Sequence, residues 1–249
     1  MDTTPALEPS PQPSIAWWAV ADLVAFGAFF LFTLIFLPAA LVLIARVFIP
    51  GLTAADLSAE AQILLQAALD VTWVGFLFFL VKVVHQESIL ETFRWNRSHQ
   101  YRVVTLIAIG VALAIAVFAV SSLFPPSSPP AIEKLAESSR SLYMLVIFSV
   151  FFAPLVEEII FRGFIFNALS ELGGSWLAVP ATAALFALLH APQLWPSLAG
   201  VVLIFVVGCV LSMVRQRSNS LIPSFIVHTA YNGMLVGASA LGTLLEKGK

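Results

Sequence analysis

The sequence predicts an all-α, polytopic transmembrane helical bundle of about seven spans. Of its 249 residues, 60% are hydrophobic and only 10% are charged, and the mean hydropathy is +0.97. Soluble domains carry about 25% charged residues, so a water-soluble globular chain is excluded. The apolar residues gather into runs close to the ~20 that cross a bilayer as a helix. Each charge inside such a run therefore needs its own physical reason. A formal net charge of −2 shows no basic excess and sets nucleic-acid binding aside. The single cysteine, Cys209, sits in an apolar run, excludes an intrachain disulfide and reads as a small buried hydrophobe.

Taken in order, the chain opens with a tail, residues 1–16, expected to be disordered. Its first residues, Met1 to Ser14, hold four prolines and two acids but no Lys or Arg, which is not the start of a signal peptide. Residues 17–249 then form a single transmembrane domain. Its spans are expected at 17–45, 67–84, 103–124, 141–170, 175–190, 198–214 and 220–244. Ile49-Pro50-Gly51 ends the first. Residues 52–66, with Asp56, Glu60 and Gln62 among apolar positions, read either as an interfacial amphipathic helix or as a plain loop. Residues 85–102 place Arg94, Arg97 and Arg102 beside Trp95 and Tyr101, the pattern of a cytoplasmic loop with interfacial aromatics. His85 and His99 are expected to be solvated there. With seven spans, the amino terminus and the loop around Arg215-Gln216-Arg217 share that side. Pro125-Pro126-Ser127-Ser128-Pro129-Pro130 opens a stiff polar break before the second half. The expected setting is a multi-pass protein of a bacterial inner membrane.

The fourth span carries the chemistry. Glu157, Glu158 and Arg162 lie within an otherwise apolar helix, where each charge costs about 2.5 to 3.5 kcal/mol near mid-membrane. Glu158 and Arg162 share a helix face, with the acid on the amino-terminal side, the better orientation for an ion pair. Glu157 points about 100° away from that pair. Either both glutamates belong to a structural charge network, or one is held by Arg162 while the other works as a base.

Two further spans supply partners. His190 closes the fifth span and His228 lies in the seventh, with Asn232 one turn later on the same face. Counted from the turn near 171–175, Glu157 and His190 each lie about 22 Å deep at 1.5 Å per residue. Counted from the turn at 215–219 on the same side, Asn232 comes out at about 20 Å and His228 at about 13 Å. Three helices thus carry polar groups to a shared level.

Glu157-Glu158-x-x-x-Arg162, Phe186-x-x-x-His190 and His228-x-x-x-Asn232, in that order on successive spans, resemble the three motifs of the CAAX-protease and bacteriocin-processing (CPBP or Abi) family of intramembrane endopeptidases. That family includes the type II CAAX prenyl endopeptidases. The resemblance covers about residues 141–235. It implies an all-helical protein that cleaves peptide bonds within the bilayer, as its eukaryotic branch removes the last three residues of prenylated CAAX proteins. It further implies that Glu157 activates water with His190 assisting, that His228 and Asn232 hold the oxyanion, and that Glu158 and Arg162 support Glu157.

The residues alone support the same chemistry. Peptide hydrolysis needs a nucleophilic water, a base, donors for the oxyanion and a proton for the leaving amine. A carboxylate in an apolar cavity, two imidazoles and a carboxamide cover these tasks. Ser149 has no evident histidine-oriented setting, and Asp22 and Asp70 lie in the first half outside any motif. Zn²⁺ could be held by His190, His228, Glu157 and Asn232, but the compact His-Glu-x-x-His pattern is absent, so metal-free catalysis is favoured and zinc stays open. The expected partners are a membrane-associated peptide or protein substrate and the lipid bilayer. The sequence sets no oligomeric state. A small transporter would also bury such residues, but no inverted repeat is present. A non-catalytic immunity or regulatory protein that binds a peptide is the other alternative.

Overall fold

The computed structural model describes residues 16–96, 100–124 and 138–247. The expected amino-terminal tail up to residue 15, Arg97, His99 and the proline-rich break at 125–130 lie outside them. The described residues form helices and no strands, in the order α1 (Ala16–Ala45), α2 (Ala59–Phe79), α3 (Ile89–Thr92), α4 (Val103–Ser121), α5 (Ser139–Ile147), α6 (Ala153–Glu157), α7 (Phe166–Leu194), α8 (Leu198–Ser218) and α9 (Leu221–Lys247). Two π-helical segments, Phe148–Phe152 and Glu158–Ile165, join α5, α6 and α7 into one continuous run.

Among the described residues, five segments are long and apolar enough to cross a membrane: Ala19–Ala45, Ala59–Val84, Val103–Ser121, Ser139–Leu194 and Leu198–Ser218. The fourth is 56 residues long, about 84 Å if straight, far more than one crossing needs. It folds back at Gly173 (φ −145°, ψ 15°) and Gly174 (φ 69°, ψ 179°). The second of these has a left-handed φ that glycine adopts without steric cost. Two passes result, and α9 follows as a further long helix, which gives the expected bundle.

Several boundaries differ from the sequence expectation. Residues 52–66 do not form a separate interfacial helix: only Ala54–Asp56 make a short turn, and α2 begins at Ala59 rather than at 67. The physical reason is a cap, since Ser58 Oγ accepts the Ala61 N–H at 3.2 Å and starts the helix early. His85 is not solvated: its Nε2 lies 2.7 Å from Asp22 Oδ2, joining the end of the second pass to α1. Arg215 is not in a loop either, because α8 continues to Ser218 and stops at Asn219 in the left-handed conformation.

Close approach of backbones organises the second half. A Cβ on Gly208 of α8 would stand 2.9 Å from Ala183 Cα of α7, so these helices meet at a small-residue contact. Gly110 of α4 likewise has no room for a Cβ against Ala230 and Tyr231 of α9. Aromatic and aliphatic residues from both halves, among them Trp73, Leu77, Phe93, Ile159, Phe161 and Phe186, make the main buried cluster. Phe93 is buried against Gly163, and the chain around it is tied down by Asn167 Nδ2 donating to Thr92 O at 3.0 Å and Leu221 N donating to Arg94 O at 3.0 Å. These contacts bring the 92–96 loop to the same end of the bundle as the α8–α9 turn. The outer face of α1, with Val24, Leu31, Phe32 and Ile35 exposed, is a lipid-facing surface in a chain of this composition.

Candidate active site

The site is built from the buried ion pair outward. Glu158 and Arg162 are both fully buried, and Arg162 Nη1 donates to Glu158 Oε1 at 3.1 Å. The guanidinium also donates through Nη2 to Gly208 O at 3.2 Å and lies over the Phe186 ring at 4.6 Å. The first contact depends on the glycine itself, because the tight α7–α8 approach delivers that carbonyl. Burying a cation is costly, and these contacts of Nη1, Nη2 and the guanidinium face offset that cost for Arg162.

His228 joins this pair from α9. Its Nδ1 is 2.9 Å from Glu158 Oε1, and the ring is almost wholly buried. The opposite nitrogen, Nε2, lies 3.5 Å from Glu157 Oε2. Glu158 is therefore held by an arginine and a histidine at one oxygen. Glu157 is oriented by neither a guanidinium nor a close hydrogen bond among the described residues, and its side chain is 25% exposed.

His190 completes the group from the far part of α7. Its Nδ1 lies 2.8 Å from Phe186 O. A carbonyl can only accept, so Nδ1 carries a hydrogen, and the neutral form of the ring presents a lone pair at Nε2. That Nε2 faces Glu157 Oε1 at 3.9 Å. Phe186 contributes twice over: its carbonyl fixes the His190 tautomer, while its ring stands 4.4 Å from His190 and 5.9 Å from His228 between centroids.

The structure thus brings Glu157, Glu158, Arg162, His190 and His228 together. Asn232 sits one helical turn beyond His228, where its Nδ2 donates to Ser149 O at 2.8 Å. It ties α9 to the fourth pass near the site and is not hydrogen-bonded to the glutamates. His228, placed by depth one turn from the others, is the residue that touches both acids.

Local backbone geometry explains how one helix aims these acids. Pro154 has no N–H to give the carbonyl of Val150, and a π-helical turn covers Phe148–Phe152 just before it. A second π-helical stretch runs from Glu158 to Ile165, and such wide turns are frequent at functional sites. No propensity argument from the sequence announces a π turn, so this part of the geometry was not legible there.

Sequence reasoning also passed over residues that border the site. Asp70 of α2 is buried, accepts from Gln66 Nε2 at 2.9 Å, and is near enough to Glu157 to interact electrostatically. Its signal was an acid in an apolar span of the first half. Arg215 is buried below Arg162, and Asn167 lies beside it.

Among the described residues, no group of three His, Cys, Asp or Glu side chains is arranged to hold a metal ion. The two imidazole Nε2 atoms face different oxygens of Glu157, at 3.9 and 3.5 Å, while the second nitrogen of each ring is engaged by Phe186 O or by Glu158.

No curated protein and no solved structure matches the chain significantly. A family model does match, and it falls on the segment that supplies all the residues just described except Asp70. Residues 139–234 match the model for type II CAAX prenyl endopeptidase Rce1-like proteins, a group within the family that the motifs resemble.

Proposed function

We propose that the protein is an intramembrane endopeptidase that cleaves a membrane-associated, CAAX-type peptide by glutamate-activated water. The observation that carries this reading is the 3.9 Å gap between Glu157 Oε1 and the His190 Nε2 lone pair. That gap is too long for a direct hydrogen bond and suits one water that donates a hydrogen to each acceptor.

In this reading Glu157 takes a proton as the water oxygen attacks the scissile carbonyl carbon. His190 Nε2 accepts the other hydrogen and aims the oxygen lone pair. The oxyanion is met by His228, which, when it carries both protons, holds Nδ1–H on Glu158 and offers Nε2–H to the substrate. The remaining N–H of Asn232 is a second donor near the same level. When the carbon–nitrogen bond breaks, Glu157 returns its proton to the leaving amine, giving a carboxylic acid and an amine with no other reactant consumed. Arg162 stabilises Glu158, and Glu158 orients His228, so neither needs to touch the substrate.

The test is a farnesylated peptide ending in a Cys-aliphatic-aliphatic-X sequence, incubated with the full-length protein in detergent or lipid and read by mass spectrometry. Release of the last three residues by the wild type, and its loss in Glu157→Gln, is the expected result. An intact peptide after prolonged incubation with folded wild-type protein would overturn the CAAX-type assignment.

A further inference from the structure

The catalytic segment is braced from below by side chains with no place in the reaction just described. Arg215, in the last turn of α8, is 2% exposed and has no carboxylate within ion-pair distance among the described residues. Its Nε donates to the carbonyl of Arg162 at 3.2 Å, and its Nη2 donates to Asn167 Oδ1 at 2.8 Å. Asn167 in turn donates through Nδ2 to Gly163 O at 2.7 Å and to Thr92 O at 3.0 Å. The face of the guanidinium looks onto the Phe166 ring at 5.7 Å.

These acceptors share one location. Arg162 and Gly163 lie in the second half of the π-helical segment Glu158–Ile165, just before the chain returns to α-helical register at Phe166. Leaving a π turn shifts which N–H meets which carbonyl, and side chains that insert donors there stabilise the wider turn. The π turn begins at Glu158, so it sets the angle between Glu157, on the helix before it, and Arg162, within it.

We propose that Arg215 and Asn167 are positioning residues that hold the π register of the Glu157–Arg162 segment and thereby the facing of Glu157 toward His190 and His228. The proposal rests on the endopeptidase reading for its kinetic consequence only, since the clamp is a statement about the backbone. A buried cation spent wholly on a carbonyl and an amide is costly unless those contacts are needed, and no oppositely charged group shares its contacts. The brace also ties the site to the 92–96 loop through Thr92, so the two halves of the chain meet beneath the catalytic acids.

The experiment uses the full-length protein in detergent, with Arg215→Met, Arg215→Lys and Asn167→Ala. Amide hydrogen exchange is read over residues 158–168, and kcat and KM are read with the farnesylated peptide. In Arg215→Met, exchange in this segment should rise about 10-fold, the scale of one lost charge-assisted hydrogen bond, while exchange in α4 and in α9 beyond His228 stays as in the wild type. Its kcat should fall by ~10- to 100-fold, the scale of a misplaced catalytic group, with KM within about twofold. Arg215→Lys should recover part of kcat, and Asn167→Ala should repeat both effects more weakly, which keeps the test open if the methionine variant does not fold. Unchanged local exchange in Arg215→Met or, where that variant is unfolded, in Asn167→Ala would overturn the clamp. Faster exchange with unchanged kcat would overturn its role in positioning. A wild type that folds but cleaves nothing would count against the endopeptidase reading alone, and the exchange data would then decide the clamp.

Discussion

His228 Nδ1 lies 2.9 Å from Glu158 Oε1, and both side chains are buried. This contact sets the two adjacent glutamates in different surroundings. Glu158 is already engaged by Arg162 and His228 at the same oxygen, so a proton taken from water would have to compete with both. Glu157, partly exposed and flanked by two imidazoles at longer range, has no such competitor.

Glu157→Gln should therefore leave the fold intact and lower turnover by at least about 100-fold, the low end of what a positioned general base contributes. Steady-state cleavage of the farnesylated peptide, with melting measured in parallel, checks both halves. Cleavage retained in this variant and lost in Glu158→Gln would exchange the roles of the two acids.

Arg162→Ala is expected to act on the fold. It would leave Glu158 buried beside a single histidine and remove the donor that holds Gly208 O. Breaking a buried pair in this way typically costs about 3 to 5 kcal/mol. A clear drop in melting temperature in detergent should result. Combining Glu158→Gln with Arg162→Met leaves no unpaired charge and should recover part of the stability without the full rate. A melting temperature equal to that of the wild type for Arg162→Ala alone would refute the claim that the pair is structural.

Asp70→Asn should raise stability at neutral pH. The carboxylate is buried among apolar residues with Gln66 as its hydrogen-bond partner and Glu157 in electrostatic range. An asparagine keeps the acceptor for Gln66 and removes the charge, which should be worth roughly 1 kcal/mol. A lower melting temperature would mean that Asp70 has a cationic or donor partner in the membrane.

Much of this arrangement is legible in the sequence, for a simple reason. Charges in a membrane helix are so costly that Glu157, Glu158, Arg162, His190 and His228 stand out by type alone, and a fixed rise per residue converts their numbering into depth. The i,i+4 pairing of Glu158 with Arg162 follows from the same arithmetic. What arithmetic could not reach was lateral: which ring nitrogen faces which acid depends on helix rotation, on the π turns and on the Gly208–Ala183 contact. Depth alone placed Asn232 nearer the base than His228, whereas rotation of α9 turns His228 onto both acids and Asn232 onto Ser149 O. An expected span of 198–214 leaves Arg215 in the following loop; its burial comes from neighbours 48 and 53 positions away in sequence.

Chelation separates the chemistries. Catalysis by Glu157 without a metal predicts full activity after treatment with a strong chelator and no stoichiometric zinc by elemental analysis. One zinc per chain, lost in His190→Ala together with activity, would establish the metal reading.

The two residues of α9 should differ in a defined order. In the proposed mechanism His228→Ala removes the Nε2 donor to the oxyanion, and it also leaves Glu158 without its 2.9 Å partner, so both rate and stability should suffer. Loss of one oxyanion donor alone costs about 10²- to 10³-fold in kcat. Asn232→Ala removes a side chain with one N–H already spent on Ser149 O, so only its second N–H can act on the substrate. Its kcat should fall by less than that of His228→Ala, toward the ~10²-fold end, and KM should change little in either variant if the contacts form only in the transition state. A stability loss in Asn232→Ala is expected too, since the fourth pass loses its tie to α9. Measuring kcat, KM and melting for the pair on one substrate decides the matter: a larger kcat loss in Asn232→Ala would make the carboxamide the principal oxyanion donor and reduce His228 to an orienting contact for Glu158.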